Sequence, residues 1–426
     1  MSKYVIVGAS AAGIGAVEAI RNVDPVGTIT IISEEDCPQY SRPMISDFVS
    51  GKAAFQKMMC RENDFWKANR VEALTGKTAV NLNLPEKLVT LDSGEKIRYE
   101  KLLIATGGKP FVPKMEGLDK EGVFTFTKIS DAERLAEKLE ASRGVVVIGA
   151  GLIGVSVTEA LVKRGLKVTL VELQDKILSL LLDSTGSDIM EEVIRKAAVN
   201  IVTGQSVQRI IGKPENDQAV GGVILTKGER LPCDAVVVAI GVVPRTELVT
   251  GTDVKINRGI IVDNFMQTNV PDVFASGDVA EAYDFIINQN RLLPLWPLAV
   301  AEGKIAGCNM AGKKIEYAGG TNMSSLKYFG VPVVSIGITN PKDETAYEIL
   351  IKHDPHRNLY KKIVLKDNVI VGITLVSDVE RAGTLFYLMK NRVSVKKFKN
   401  KIVSDEFGLA LLPAPLRRNM CQGCAL

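Results

Sequence analysis

An α/β chain with two Rossmann-like dinucleotide-binding domains and a C-terminal α+β domain is the architecture this sequence predicts, and three observations predict it. An apolar strand runs into a glycine-rich turn and then a helix in KYVIVGASAAGIGAVEAI, around Gly8, Ser10 and Gly13. The same order recurs 141 residues later in GVVVIGAGLIGVSVTEAL, around Gly149, Gly151 and Gly154. Toward the C-terminal end the pattern changes to β-rich runs, VPVVSIGI, YEILIKHD, LYKKIVLK and VIVGITLVS, with the last two flanking a turn-like Asp367-Asn368. That pair reads as a hairpin, and the helical pattern RAGTLFYLMKN follows it.

The glycine turns carry chemistry because a pyrophosphate must approach main-chain amides at a helix N-terminus, where unpaired N–H groups and the helix dipole favour anions. Glycine lets the backbone turn and come close without a Cβ in the way. The first turn is GxSxxG, spanning Gly8, Ala9, Ser10, Ala11, Ala12 and Gly13, with serine at the middle glycine position, and its next strand, TITIISE, ends at Glu34. The second turn is a complete GxGxxG, with Leu152 and Ile153 before Gly154. Its next strand, KVTLVE, ends at Glu172, 23 residues past Gly149, where an acid accepts hydrogen bonds from a ribose. A glycine-rich helix start can serve packing alone, but a strand before, a helix after and an acid at this distance favour nucleotide binding.

At 426 residues and 46% hydrophobic, the chain can bury several cores, and its length suggests about three domains. No run reaches the ~18 apolar residues of a membrane span, and the first strand begins at Tyr4, so a cytoplasmic protein without a signal peptide is expected. Six cysteines, at 37, 60, 233, 308, 421 and 424, are too few for a disulfide scaffold and are expected as reduced thiols. Net charge is +4 overall, yet residues 320–426 carry +7 and the rest −3. The densest stretch, KNRVSVKKFKNK at 390–401, has six basic and no acidic residues. Such a run is either a solvated face or a surface that steers an acidic partner. No basic motif interleaved with aromatics points to nucleic acid.

The segments GASAAG (8–13), LLIATGGKPFVP (102–113), GAGLIG (149–154), AVVVAIGVVPRTEL (235–248) and TNVPDVFASGDVAE (268–281) stand in the order of the FAD- and NAD(P)-dependent pyridine nucleotide-disulfide oxidoreductases, which the chain resembles over nearly its whole length. The resemblance implies FAD and NAD as cofactors. It implies an FAD domain split between 1–112 and 250–320, an NAD domain at 113–249 inserted between the parts, and a C-terminal interface domain at 321–426. It places Ala105, Thr106 and Gly107 at the turn closing the FAD domain, and Asp278, beside Gly277, on the flavin ribitol. Arg42, Pro43, Val80, Gly241 and Pro297 complete the cofactor-contacting candidates. No catalytic residue and no metal ligand are assigned.

Departures from the family narrow the chemistry. No CxxxxC pair is present, and the first turn holds Ser10-Ala11-Ala12 with no histidine. The loop SEEDCPQYSRPMIS has Tyr-Ser-Arg-Pro, 40–43, where relatives that reduce disulfides carry a reactive cysteine. Cys37 lies earlier, beside Glu34, Glu35 and Asp36, surroundings that disfavour a thiolate. The only histidines, His353 and His356, read as a polar loop after a strand rather than a metal site. Ser156 stands where the second helix usually has a glutamate.

YSRP, LWPLAVAEGKIAG (295–307) and TNMSSLKYFGVPVVSIG (321–337) resemble the branch containing NADH:rubredoxin reductases, the flavin domain of assimilatory nitrite reductases, and FAD subunits of anaerobic iron–sulfur oxidoreductases such as phenylglyoxylate dehydrogenase and carbon monoxide dehydrogenase systems. That branch implies NADH as substrate and an iron–sulfur or rubredoxin-like protein as partner, with the chain acting as a homo-oligomer or a subunit of a larger complex. Two other readings stay open: an NADH-dependent disulfide or coenzyme A-disulfide reductase using Cys37 or the Cys421/Cys424 pair, and a nucleotide-sensing or structural subunit that keeps the fold.

Overall fold

Runs of valine, isoleucine and leucine with no polar interruption become parallel strands buried on both faces, the environment that β-branched side chains fill best. The computed structural model describes residues 2–140 and 142–422. The chain divides into two compact units.

The first unit comprises 1–111, 127–134 and 241–321. Its parallel strands are ordered Val71–Thr75, Ile29–Ser33, Ser2–Val7, Lys96–Ile104 and Val273–Ala275. The first half of Lys96–Ile104 also pairs antiparallel with Leu88–Leu91, which pairs in turn with Ala79–Asn83. The helix Ala11–Val23 leaves Ser2–Val7 through the first glycine turn. It packs along Trp296–Met310, whose Pro297 occupies the first turn, where a missing N–H costs nothing. Two short strands, Gly108–Pro110 and Val242–Pro244, pair antiparallel.

The second unit comprises 112–126, 135–240 and 322–426. Its parallel sheet is ordered Asn200–Val202, Lys167–Val171, Gly144–Ile148, Ala235–Val238, Val123–Thr125, with the helix Leu152–Lys163 following the second glycine turn. A five-stranded antiparallel sheet carries Met323–Tyr328, Val331–Gly337, Val369–Val376, Leu359–Lys366 and Glu348–Asp354 in that spatial order, and Ala382–Lys390 packs on Val369–Val376. The expected hairpin turns at Asp367 and Asn368, both with positive φ (53° and 61°), as a two-residue hairpin turn demands. This sheet is tied to residues 152–183 by polar contacts. Tyr328 donates to the carbonyl of Leu152 (2.8 Å), Ser335 to that of Leu181 (2.9 Å), and Tyr360 and Lys362 both reach the Asp183 carboxylate (2.6 and 2.9 Å). Burial alone would push the Asp183 carboxyl up, but those two donors hold it below its ordinary value. Among the described residues, no helix is long and apolar enough to cross a membrane.

Candidate dinucleotide sites

The two glycine turns are built alike, each within its own unit. Gly8 has φ +119°, and a Cβ there would overlap the carbonyl of Ala105 at the end of the neighbouring strand. Gly149 has φ +98°, and its Cβ would meet the carbonyl of Ala239, at the matching place, at 2.6 Å. Gly13 sits against the carbonyl of Gly8 and Gly154 against that of Gly149, both closer than any side-chain carbon can come. The middle position differs: Ser10 (φ −92°, ψ −156°) and Gly151 (φ −78°, ψ −168°) share an extended conformation, and nothing lies within 4 Å of a Cβ at Gly151. Serine at position 10 therefore strains no backbone. No side chain caps either helix among the described residues, so the amides of Ala11, Ala12 and Gly13, and of Leu152, Ile153 and Gly154, open the two helices as anion-facing groups.

In the first unit the Gly277-Asp278 turn reaches the helix that follows the glycine turn. A Cβ at Gly277 would lie 3.2 Å from that of Ala12, which seats the Gly277-Asp278 turn on the first fingerprint helix. Burial pushes the Asp278 carboxyl above its ordinary value, and the Arg42 guanidinium partly offsets this. Beside it, Ser276 Oγ is buried without a partner, as expected of a site shaped for a polar ligand. Arg42 pairs with Glu35 and donates to the carbonyl of Thr127 (3.2 Å). Tyr40 donates to Glu35 Oε2 (2.7 Å) and accepts from the amide of Ile129 (2.9 Å). Pro43 lies in the short 3-10 turn Arg42–Met44.

Glu34 lies just past the strand Ile29–Ser33, and its Oε1 takes both Lys128 Nζ (2.7 Å) and Arg245 Nη1 (2.5 Å). Burial would raise that carboxyl, but the two cations hold it below its ordinary value, so it stays an acceptor at neutral pH. Thr106 donates to the carbonyl of Arg245 (2.7 Å), and the Arg245 amide donates to that of Gly107 (2.9 Å). The Gly241 carbonyl accepts from Phe111 (2.9 Å). Val80, on Ala79–Asn83, is 55% exposed.

In the second unit Glu172 lies one residue past Lys167–Val171 and accepts from the amides of Ala150 (2.7 Å) and Gln174 (2.8 Å). The acid thus braces the glycine turn it stands beside. Ser156 is half-buried on Leu152–Lys163, and one turn on, Glu159 accepts from the Phe329 amide (3.1 Å) and pairs with Lys163 (2.8 Å).

Sequence reasoning missed Lys128, Arg245, Glu35 and Glu302. Only Glu302 left a local signal, as the lone acid in the helix WPLAVAEGKIAGCNM.

Cys37 is half-buried, and burial together with Glu35 pushes its thiol up to about 11. At neutral pH it is a thiol, a poor nucleophile. Cys37→Ser should therefore keep NADH-dependent reduction of a one-electron dye within about twofold of wild type, since RT ln 2 is well below the cost of losing a catalytic group. Loss of dye reduction would reinstate the thiol. His353 lies within the strand Glu348–Asp354, its ring edge-on to Tyr360 at 5.8 Å, and His356 in the turn Pro355–Arg357, so only the second stands in a turn after the strand. Among the described residues no group of three or more His, Cys, Asp or Glu could hold a metal. Cys424 lies outside the described residues, and so does the side chain of Cys421.

Paired strand, glycine turn and helix units, each followed by a carboxylate, define a chain built around two dinucleotides. It belongs to the pyridine nucleotide-disulphide oxidoreductase family, whose model matches residues 2–303. Residues 323–393 match the rubredoxin NAD+ reductase C-terminal domain. The protein is accordingly an FAD-dependent NAD(H) oxidoreductase. It is 31% identical to the NADH-dependent phenylglyoxylate dehydrogenase subunit epsilon of Aromatoleum evansii, over 95% of each chain. It is 29% identical to the nitrite reductase [NAD(P)H] of Bacillus subtilis over 99% of this chain, spanning only 52% of that protein. Among solved structures, an NAD-dependent persulfide reductase from A. fulgidus superposes with a TM-score of 0.88 at 26% identity, covering 99% of this chain and 83% of that one.

Proposed function

We propose that the chain passes electrons between NADH and an iron–sulfur or rubredoxin-like protein in the cytoplasm, as a homo-oligomer or within a larger complex. The observation that carries this reading is the Tyr40–Arg42 loop. Where a thiol reductase needs an activated cysteine, this chain has an arginine paired to Glu35, and burial pushes both neighbouring thiols, Cys37 and Cys60, above their ordinary value. The match to the rubredoxin NAD+ reductase C-terminal domain supports the partner class. FAD would supply the conversion of a two-electron hydride into single electrons. The residues that would hold it are Gly8, Ser10, Ala11, Ala12, Gly13, Glu34, Arg42, Pro43, Val80, Ala105, Thr106, Gly107, Gly277, Asp278 and Pro297, in a domain formed by 1–112 and 250–320. Gly149, Gly151, Leu152, Ile153, Gly154 and Glu172 would serve NAD in a domain at 113–249, Gly241 would contact a cofactor, and 321–426 would form the interface domain.

The second reading, a disulfide or persulfide reductase, is favoured by the likeness to the persulfide reductase. Anaerobic NADH titration separates the two. Bleaching complete at two electrons per flavin supports the first, extra electrons consumed reveal a redox disulfide, and no bleaching leaves a nucleotide-binding subunit.

The basic run offers a docking test. Lys399 is paired with Glu348 (2.8 Å) and Lys401 with Glu406 (3.6 Å), whereas Lys390, Arg392, Lys396 and Lys397 are exposed. Reversing Lys396 and Lys397 to glutamate should slow electron transfer to an acidic ferredoxin or rubredoxin about tenfold at low salt and leave dye reduction unchanged. The wild-type rate should fall as salt rises. A salt-insensitive rate, equal in the variant, would remove this run from the docking surface.

A further inference from the structure

Glu302 has the burial of a core residue and the chemistry of a site residue. It is 2% exposed, midway along Trp296–Met310, in a stretch where that helix lies backbone to backbone on Ala11–Val23. Glycines make the approach: a Cβ at Gly303 would overlap the carbonyl of Ala12, one at Gly307 would stand 2.5 Å from that of Ala16, and one at Gly15 would stand 2.6 Å from that of Val300. The carboxyl therefore cannot swing out to solvent without parting the helices. Its Oε2 accepts from the amide of Gly277 (2.8 Å), the residue before Asp278, and its Oε1 lies 3.5 Å from the Tyr317 hydroxyl. No lysine or arginine pairs with it among the described residues, and Lys304, two residues on, turns to Glu18 (3.9 Å). The groups facing it are accordingly the Gly277 amide, Asp278 and Tyr317. Ala12 and Ala16 from the fingerprint helix, and the Val273–Ala275 strand, bring no charge. Among the described residues Arg42, itself paired with Glu35, is the cation that acts on Asp278.

The geometry points to Glu302 as a positioning residue for the flavin: uncharged, it holds the Gly277-Asp278 turn in place and leaves the pair's single negative charge on Asp278, and on losing its proton it loosens the flavin. The inference rests on the reading that this turn meets the ribitol of FAD. Two buried carboxylates that act on one another cannot both ionise cheaply, and the one with the counter-cation keeps the charge. Burial, chiefly, and the Asp278 charge push Glu302 up to about 8, with the Gly277 amide partly opposing. A flavin seated on this turn buries the Glu302 carboxyl further and so favours its neutral form still more, which makes FAD affinity constant below about 8 and decreasing as pH rises above it.

The test is FAD affinity of the reconstituted protein between pH 6.5 and 9, with the midpoint potential of the bound flavin as a second readout. In the wild type the dissociation constant should rise about tenfold across this range, the effect of a one-unit coupling between protonation and binding. The potential should fall more steeply with pH above 8 than below. Glu302→Gln keeps an acceptor for the Gly277 amide but cannot ionise, so its affinity should be flat and its potential should lose the steepening. Glu302→Ala, which removes the acceptor, should weaken FAD at every pH. An inflection in Glu302→Gln matching that of wild type, or no inflection in wild type, would overturn the proposal. Asp278→Ala separates the two levels of argument. Undiminished FAD affinity there sinks the site reading itself, while weakened affinity with a flat wild-type profile sinks only the role of Glu302.

Discussion

Gly13→Val is expected to give protein that folds without flavin, and Gly154→Val protein that stays yellow but is not bleached by NADH. Both follow from one contact. In each unit the third fingerprint glycine lies against the carbonyl of the first, with no room for any Cβ. A valine must push its helix away from the strand, and the amides that open the helix then leave the position a pyrophosphate needs. Forcing extra carbons into a packed contact costs about 1–3 kcal/mol, tolerable for a chain with several cores. A ligand held by those displaced amides should bind about a hundredfold more weakly, equivalent to about 2.7 kcal/mol. Flavin stoichiometry after gel filtration, NADH affinity by calorimetry and thermal unfolding of both variants check this. Equal loss of both ligands in either variant would mean general unfolding, and wild-type affinity for both would remove the fingerprints from the sites. Asp278→Ala should also release flavin, through a different cause, the loss of the carboxylate on the Gly277-Asp278 turn.

The parts of this architecture written in contiguous residues were legible. Each fingerprint compresses strand, turn and helix into under twenty residues, and its geometry follows from backbone sterics at Gly8, Gly13, Gly149 and Gly154. The hairpin at Asp367-Asn368 was readable for the same reason, since its turn chemistry is local. Partners distant in sequence were not. Glu34 meets Arg245 across 211 residues, and only the fold brings Tyr40 to the Ile129 amide. Nothing near Arg245 announces that it clamps an acid at the end of another strand. Glu302 shows why composition misleads here: an acid on an apolar helix reads as a solvent-facing position until the glycines beside it are seen to bury it. The grouping of 322–426 with 135–240 depends on contacts such as Tyr360 and Lys362 on Asp183, which no periodicity encodes.

NADH should be preferred to NADPH by about a hundredfold in kcat/KM, and the preference should collapse when Glu172 loses its charge and Leu173 becomes arginine. Glu172 stands at the mouth of the second glycine turn with both oxygens already accepting backbone amides, from Ala150 and Gln174. A carboxylate has about four lone-pair sites, so two remain for the hydroxyls of an adenosine ribose. A 2′-phosphate in the same place would meet a fixed negative charge and, among residues 173–176, no free counter-ion. Leu173 is apolar and 63% exposed, Gln174 is neutral, Asp175 adds repulsion, and the Lys176 ammonium is taken by Asp188. Glu172→Gln alone should reduce NADH efficiency, because an amide cannot accept from both backbone N–H groups, and should improve NADPH only modestly. Adding Leu173→Arg places a cation on an exposed position beside the acid and should bring NADPH to parity or better. Steady-state kcat/KM for the two nucleotides across wild type, Glu172→Gln and the double variant measures this. If the wild type favours NADPH, or the double variant leaves the ratio unmoved, Glu172 braces the turn but does not read the ribose.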